Sequence, residues 1–167
     1  YKAMIYYLIG NYAEAFRYSD QSKNYYKLQS DNYGIASIYN LMGLVYQDVG
    51  AYNESIKSYE SSLELAKDLD NLYAKSNPIH NIGRLYAIME QPILAIENFK
   101  KALVLRKELK DTLLISQSYQ AIGASFTKNI NLDSAFYYSN KALEWVNYLV
   151  PVSKTDIALT LNNLAVA

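Results

Sequence analysis

Apolar and small residues return along this chain at helical spacing, and no stretch shows the alternation of a half-buried strand. Ile56, Leu63 and Leu65, then Ile96, Leu103 and Leu105, then Phe136, Leu143 and Trp145 hold equivalent places in three successive copies. Gly43, Gly83 and Gly123 stand forty residues apart, each followed three positions on by an aromatic ring, Tyr46, Tyr86 or Phe126. Small residues keep the same register twelve positions past each glycine, at Ser55, Ala95 and Ala135, and nineteen past it, at Ser62, Ala102 and Ala142. A glycine inside an apolar helix costs about 1 kcal/mol against alanine. Its recurrence on this grid therefore predicts a place where the two helices of a hairpin come close enough for their backbones to pack.

The pattern predicts helices over about 1–9, 12–29, 33–49, 52–69, 72–89, 92–109, 112–128, 132–148 and 154–167. Breakers separate the two helices of each hairpin at Gly10-Asn11, Gly50-Ala51, Glu90-Gln91-Pro92 and Asn129-Ile130-Asn131. Polar junctions at residues 68–71 and at Lys110-Asp111 separate one hairpin from the next. Pro92 suits a first helical turn, where its missing N–H is not needed. Pro78 falls inside a predicted helix, so either Ser76 or Asn77 caps a late start or the helix kinks. Read backwards, the template puts Ala3 in the glycine slot. Read forwards, it puts Ala165 there if two residues are inserted around 149–152. The expected units are 1–31 (partial), 32–71, 72–111, 112–153 and 154–167 (partial), in one domain spanning 1–167. Because the pattern starts and stops inside a copy, we expect the chain to be a piece of a longer protein.

Met42-Gly43, Tyr46, Ser55, Tyr59 and Ser62, repeated as Ile82-Gly83, Tyr86, Ala95, Phe99 and Ala102, resemble the tetratricopeptide repeat. The forty-residue period, longer than the usual 34, resembles a variant found in bacterial sensor kinases and transcriptional regulators. The resemblance implies an all-α fold of stacked antiparallel hairpins, a right-handed α-α superhelix (a tetratricopeptide solenoid), with the first helix of each hairpin facing a concave groove. Ser19 and Ser139 depart from the pattern, since a large aromatic is usual there; neighbouring Phe16, Tyr18, Phe136 and Tyr138 are expected to supply the bulk.

Inward positions follow from the resemblance. They give Ser37, Asn40, Leu44 and Gln47 in the second unit, Asn77, His80 and Arg84 in the third, Gln117, Gln120 and Lys128 in the fourth, and Asn162 in the last. Asn40, His80, Gln120 and Asn162 share one template position. Such a row could hydrogen-bond the backbone of an extended peptide, or it is the solvated stripe of amphipathic helices. Arg84 and Lys128 could receive a carboxylate or an acidic side chain. The carboxylate-clamp subclass needs several Lys, Arg and Asn where this chain has Ser, Leu and Ala, so a clamp is not expected.

Composition narrows the function classes. Sixteen basic and sixteen acidic side chains cancel, which removes the field that draws a chain to nucleic acid or anionic lipid. Eighteen tyrosines could stack bases, but that mode also needs a basic track. Tyr6, Tyr46, Tyr59 and Tyr86 are read as core, whereas the doublets Tyr25-Tyr26 and Tyr137-Tyr138 must bring a ring to solvent. There is no cysteine, so thiolate chemistry is absent and the redox compartment is undetermined. His80 is the single histidine, with no second ligand at metal spacing. No phosphate loop, carboxylate pair or nucleophile elbow occurs, so the expectation is no enzyme, no metal and no cofactor.

The leading expectation is a protein- or peptide-binding module that serves as the sensory or regulatory domain of a bacterial signalling protein, a histidine kinase or a transcriptional regulator. A constitutive scaffold is the alternative, and a regulator accompanying a phosphatase bundle the third reading. Apolar ends suggest a homodimer through terminal helices. No apolar run is long enough to span a bilayer, and the cytoplasm is favoured, with the periplasm open if the chain belongs to a membrane sensor.

Overall fold

A computed structural model describes residues 1–147 and Asn162. Eight helices follow one another among the described residues: α1 (Lys2–Leu8), α2 (Tyr12–Leu28), α3 (Asn32–Asp48), α4 (Tyr52–Ala66), α5 (Leu72–Ile88), α6 (Pro92–Glu108), α7 (Thr112–Lys128) and α8 (Leu132–Val146). Boundaries agree with the periodicity to within a residue or so except in α4. There, Lys67 N–H already bonds Glu64 O at 3.2 Å and Leu69 N–H bonds Ala66 O at 3.1 Å, so the polar run at 67–70 leaves the helix early. The helix expected over 154–167 lies outside the described residues, apart from Asn162, which is helical and exposed.

In six of the seven connections between the described helices the chain reverses through one left-handed residue, the turn from α4 to α5 being the exception. Gly10 and Gly50 have φ of 75° and 78°, and Ser30, Glu90, Lys110 and Ile130 take the same conformation at 53° to 58°. A left-handed residue after a helix end lets the following N–H groups bond the last carbonyls. Asn11, Asp31, Asn71, Asp111 and Asn131 then start the next helix, each side chain accepting the N–H three residues on at 2.8–3.2 Å. Asn71 therefore caps α5, which runs unbroken through Pro78. Of the two readings of Pro78, the late start at Ser76 or Asn77 does not occur, because the cap and the apolar Leu72 start the helix one and a half turns earlier.

Compactness divides the chain into Tyr1–Asn81 and Ile82–Ala167, the division falling within α5. In the first unit α1 packs on α2, α2 on α3 and α3 on α4. Its core includes Ala15, Leu41, Val45 and Tyr59. Ser55 Oγ donates to Gly43 O and Ser62 Oγ to Ala36 O, both at 2.7 Å, so the small positions also tie α4 to α3. A Cβ at Gly43 would overlap the Tyr59 ring. The space left by the glycine is thus filled by an aromatic ring lying across it, rather than by the facing backbone.

In the second unit α6 packs on α7 and α7 on α8, around Ile96, Phe99, Leu103, Ile115, Tyr119 and Ile122. Gly83 repeats the arrangement of Gly43: an added Cβ would come within 2.8 Å of Phe99 ring carbons. At Gly123 the neighbours are Ser139 Oγ at 2.7 Å and the Ser139 N at 3.3 Å, so here the helices do meet backbone to side. Arg106 is buried, its Nη1 donating to Ser118 Oγ at 2.8 Å and Leu114 O at 3.2 Å. Desolvation pulls its pKa down to about 10, against the raising pull of Asp111.

Where serine replaces the usual aromatic, the ring has moved one residue towards the N-terminus. Tyr18 stacks on Tyr6 at 5.1 Å and Tyr138 on Phe126 at 5.4 Å. Phe16 packs on Tyr46 at 4.7 Å. Phe136 does not share this role: it is 55% exposed.

Candidate functional site

The inward positions were placed by register, and each unit gathers some of them into a cleft. In the first unit Ser37 and Asn40 of α3 face Asn77 and Pro78 of α5 across a cleft of about 170 Å³, with Tyr33 and Tyr73 at its edge. Ser37 is exposed, while Asn40, Leu44 and Asn77 are half-buried. Asn40 Oδ1 accepts a hydrogen bond from Asn81 Nδ2 at 3.0 Å. That bond fixes the Asn40 carboxamide and directs its NH₂ donors away from Asn81, since an amide presents its oxygen and its nitrogen on opposite sides. Gln47 and His80 are buried, at 6% and 9% exposure, and neither lines this cleft. Residues at +4 and −3 from the glycine are thus drawn towards the packed side of the helix at these two places.

In the second unit Arg84 and Ile88 of α5, Phe99 of α6 and Ala121, Ala124 and Lys128 of α7 enclose a cleft of about 230 Å³. Arg84 and Lys128 are exposed, and the floor is apolar. Among the described residues neither cation has a carboxylate within ion-pair distance, whereas the surface pairs Lys101–Glu97 and Lys141–Glu144 are closed at 2.6 and 2.8 Å. Gln117 and Gln120 are half-buried on α7 and lie outside this cleft. Asn162 is exposed.

Sequence reasoning missed two kinds of contributor. Tyr33 and Tyr73, forty residues apart and 47% and 42% exposed, hold one template position ten residues before the glycine; their spacing was the available signal. Phe99 entered only as a position of the repeat pattern, yet its ring lines the cleft that Arg84 and Lys128 border. Exposed rings in the tyrosine doublets are Tyr25 and Tyr137, each edge-on to its neighbour. Among the described residues no group of three or more His, Asp or Glu could hold a metal ion. No described helix is long and apolar enough to cross a membrane.

Known proteins share this architecture. The profile of the family described as "Tetratricopeptide repeat" matches residues 1–68. Photosystem I assembly protein Ycf3 of Prochlorococcus marinus (strain MIT 9301) is 30% identical over 132 residues, which cover 77% of this chain and 75% of that protein. Outer dynein arm-docking complex subunit 4 of Danio rerio is 33% identical over 78 residues, 47% of this chain but 16% of that protein, so the chain corresponds to a small part of the latter. Among solved structures, BtubC (BKLC) from P. vanneervenii superposes with a TM-score of 0.84 at 18% identity, covering 98% of this chain and 68% of that one. A Rap protein complexed with competence and sporulation factor gives a TM-score of 0.80 at 18% identity, over 87% of this chain and 41% of that one. These structures share the fold. With the repeated Gly, aromatic and small positions and the helix hairpins that they build, the match to Ycf3 establishes that the chain belongs to the tetratricopeptide repeat family.

Proposed function

We propose that the chain is a protein- or peptide-binding module whose ligands enter the cleft of each unit, and that it serves as the sensory or regulatory domain of a bacterial signalling protein. The observation that carries the binding reading is convergence. Side chains far apart in sequence, Ser37 and Asn40 with Asn77 in one unit and Arg84 with Lys128 in the other, border small open clefts. Polar side chains beside an exposed tyrosine pair suit the backbone and side chains of an extended segment. The regulatory part of the reading is supported by the shared fold with a Rap protein solved with competence and sporulation factor, and it is an analogy of fold.

A second reading, a constitutive scaffold, is favoured by the names of two relatives, one called an assembly protein and the other a docking-complex subunit. Selection of ligands from a displayed peptide library by the folded chain tests the binding reading. We expect enriched peptides whose affinity falls about tenfold in Asn77→Ala combined with Ser37→Ala, with unchanged helical circular dichroism; two lost hydrogen bonds account for that loss. Failure to enrich any peptide, or equal affinity for the double variant and for one altered in the second cleft, would reject it. Fusing the chain to a reporter kinase and finding no ligand-dependent output would leave the scaffold reading in its place.

A further inference from the structure

The second-unit cleft is chemically unlike the first, and this difference identifies its occupant. We infer that it takes an extended peptide segment carrying one bulky apolar side chain with an acidic residue two positions to either side. The inference deepens the peptide-binding reading and rests on it.

Three observations support it. The cleft of about 230 Å³ has room for one Leu-, Ile- or Phe-sized side chain. Its floor, Phe99 with Ala121, Ala124 and Ile88, offers such a side chain apolar surface and, apart from Ser125, no side-chain hydrogen-bonding group. Ser125 Oγ is already committed to Ala121 O at 2.8 Å. A polar side chain inserted there would lose its water without compensation. At the rim stand Arg84 and Lys128, exposed, on different helices, with no ion-pair partner among the described residues. Most other basic side chains of α6 to α8 differ in this respect: Lys101 and Lys141 are paired, Arg106 is buried on Ser118, and Lys100 and Lys107 lie over rings.

The occupant's length and charge follow. Two separate cations are complemented by two carboxylates, whereas a chain end would bring one. In an extended segment residues two apart point the same way, about 7 Å from each other. A Glu-x-Leu-x-Glu segment therefore turns its leucine to the floor and both carboxylates to the rim. The glutamates then meet Arg84, which can bind bidentately, and Lys128, which acts as a point charge.

The test is an NMR titration of the ¹⁵N-labelled chain, which detects weak binding, with acetylated and amidated Glu-Ser-Leu-Ser-Glu. Comparators are Gln-Ser-Leu-Ser-Gln, Glu-Ser-Ser-Ser-Glu, and Ser-Ser-Leu ending in a free carboxylate. We expect shifts concentrated at Arg84, Ile88, Ala124 and Lys128, and affinity about fivefold above the glutamine peptide at low salt, the magnitude of two exposed ion pairs, and at least about fivefold above the amidated serine peptide, which loses the leucine burial. The advantage over the glutamine peptide should fade as salt rises and vanish in Arg84→Gln/Lys128→Gln, whose positions are exposed and leave the core intact. Equal affinity for the glutamate and glutamine peptides, shifts elsewhere, or an acid preference that survives the double substitution would overturn the inference. So would tighter binding of the free-carboxylate peptide. If library peptides bind through Ser37 and Asn77 while these results are negative, the broader reading stands and this one falls. If no peptide binds either cleft, both fall.

Discussion

Phe99 can close a cleft only because residue 83 has no side chain. Its ring carbons lie 2.8 Å from where a Gly83 Cβ would be, and the ring is 2% exposed, with nowhere to retreat. Gly83→Ala would recover about 1 kcal/mol of helix propensity but force overpacking that costs about 1–3 kcal/mol. We expect a net loss of about 1 kcal/mol by urea unfolding, and a changed second-unit cleft; a stabilised variant would contradict this geometry. Ile130 presents the opposite case. It is a β-branched residue at φ 53° and 85% exposed, so it carries left-handed strain with little packing in return. Ile130→Gly should therefore raise stability by about 1 kcal/mol, seen as a higher urea midpoint with an unchanged m-value. Ser139 Oγ is buried, and no hydrogen-bond partner among the described residues reaches it. Ser139→Ala should leave stability unchanged or raise it by up to about 1 kcal/mol, measured by the same unfolding curve.

Helices were the part of this molecule most legible in the sequence, since apolar spacing and the breakers between them act locally. The α4 end was misjudged because Leu69 continues the apolar rhythm after the backbone has already turned. The periodicity placed the start of α5 at 72 as observed, and only the meaning of Pro78 stayed open between a late start and a kink; a helix can tolerate one missing N–H when its neighbours hold it. Caps give a direct test at this scale. Asp111 accepts Leu114 N–H at 3.0 Å, and Asp111→Ala should cost about 1 kcal/mol, twofold if the removed carboxylate also helps Arg106. Asn131→Ala, which lacks such a second role among the described contacts, should cost the single cap alone. Equal losses in the two variants would show that Asp111 serves only as a cap. Ser62→Ala, which removes a 2.7 Å bond between α4 and α3, should cost about 1–2 kcal/mol.

At the scale of the whole molecule, family membership was readable from three glycines and their companions, because a repeat multiplies a weak local signal. The candidate site was only partly readable. Register set Ser37, Asn40, Asn77, Arg84 and Lys128 along one expected groove, whereas they line a cleft within each unit, and it could not tell that Gln47 and His80 are buried, since burial depends on which neighbour leans over each position. Nor did it find Tyr33 and Tyr73, which lie outside the usual inward set. The left-handed residues carry a further consequence. They occur at 10, 30, 50, 90, 110 and 130, twenty residues apart except between 50 and 90, where the turn after α4 has none, and turns within a hairpin alternate with turns between hairpins. An insertion of forty residues at such a point adds a whole hairpin with its own packing face, whereas a few residues only lengthen a surface turn. The spacing that builds the hairpins thereby also sets the grammar by which this protein can be lengthened, shortened or recombined.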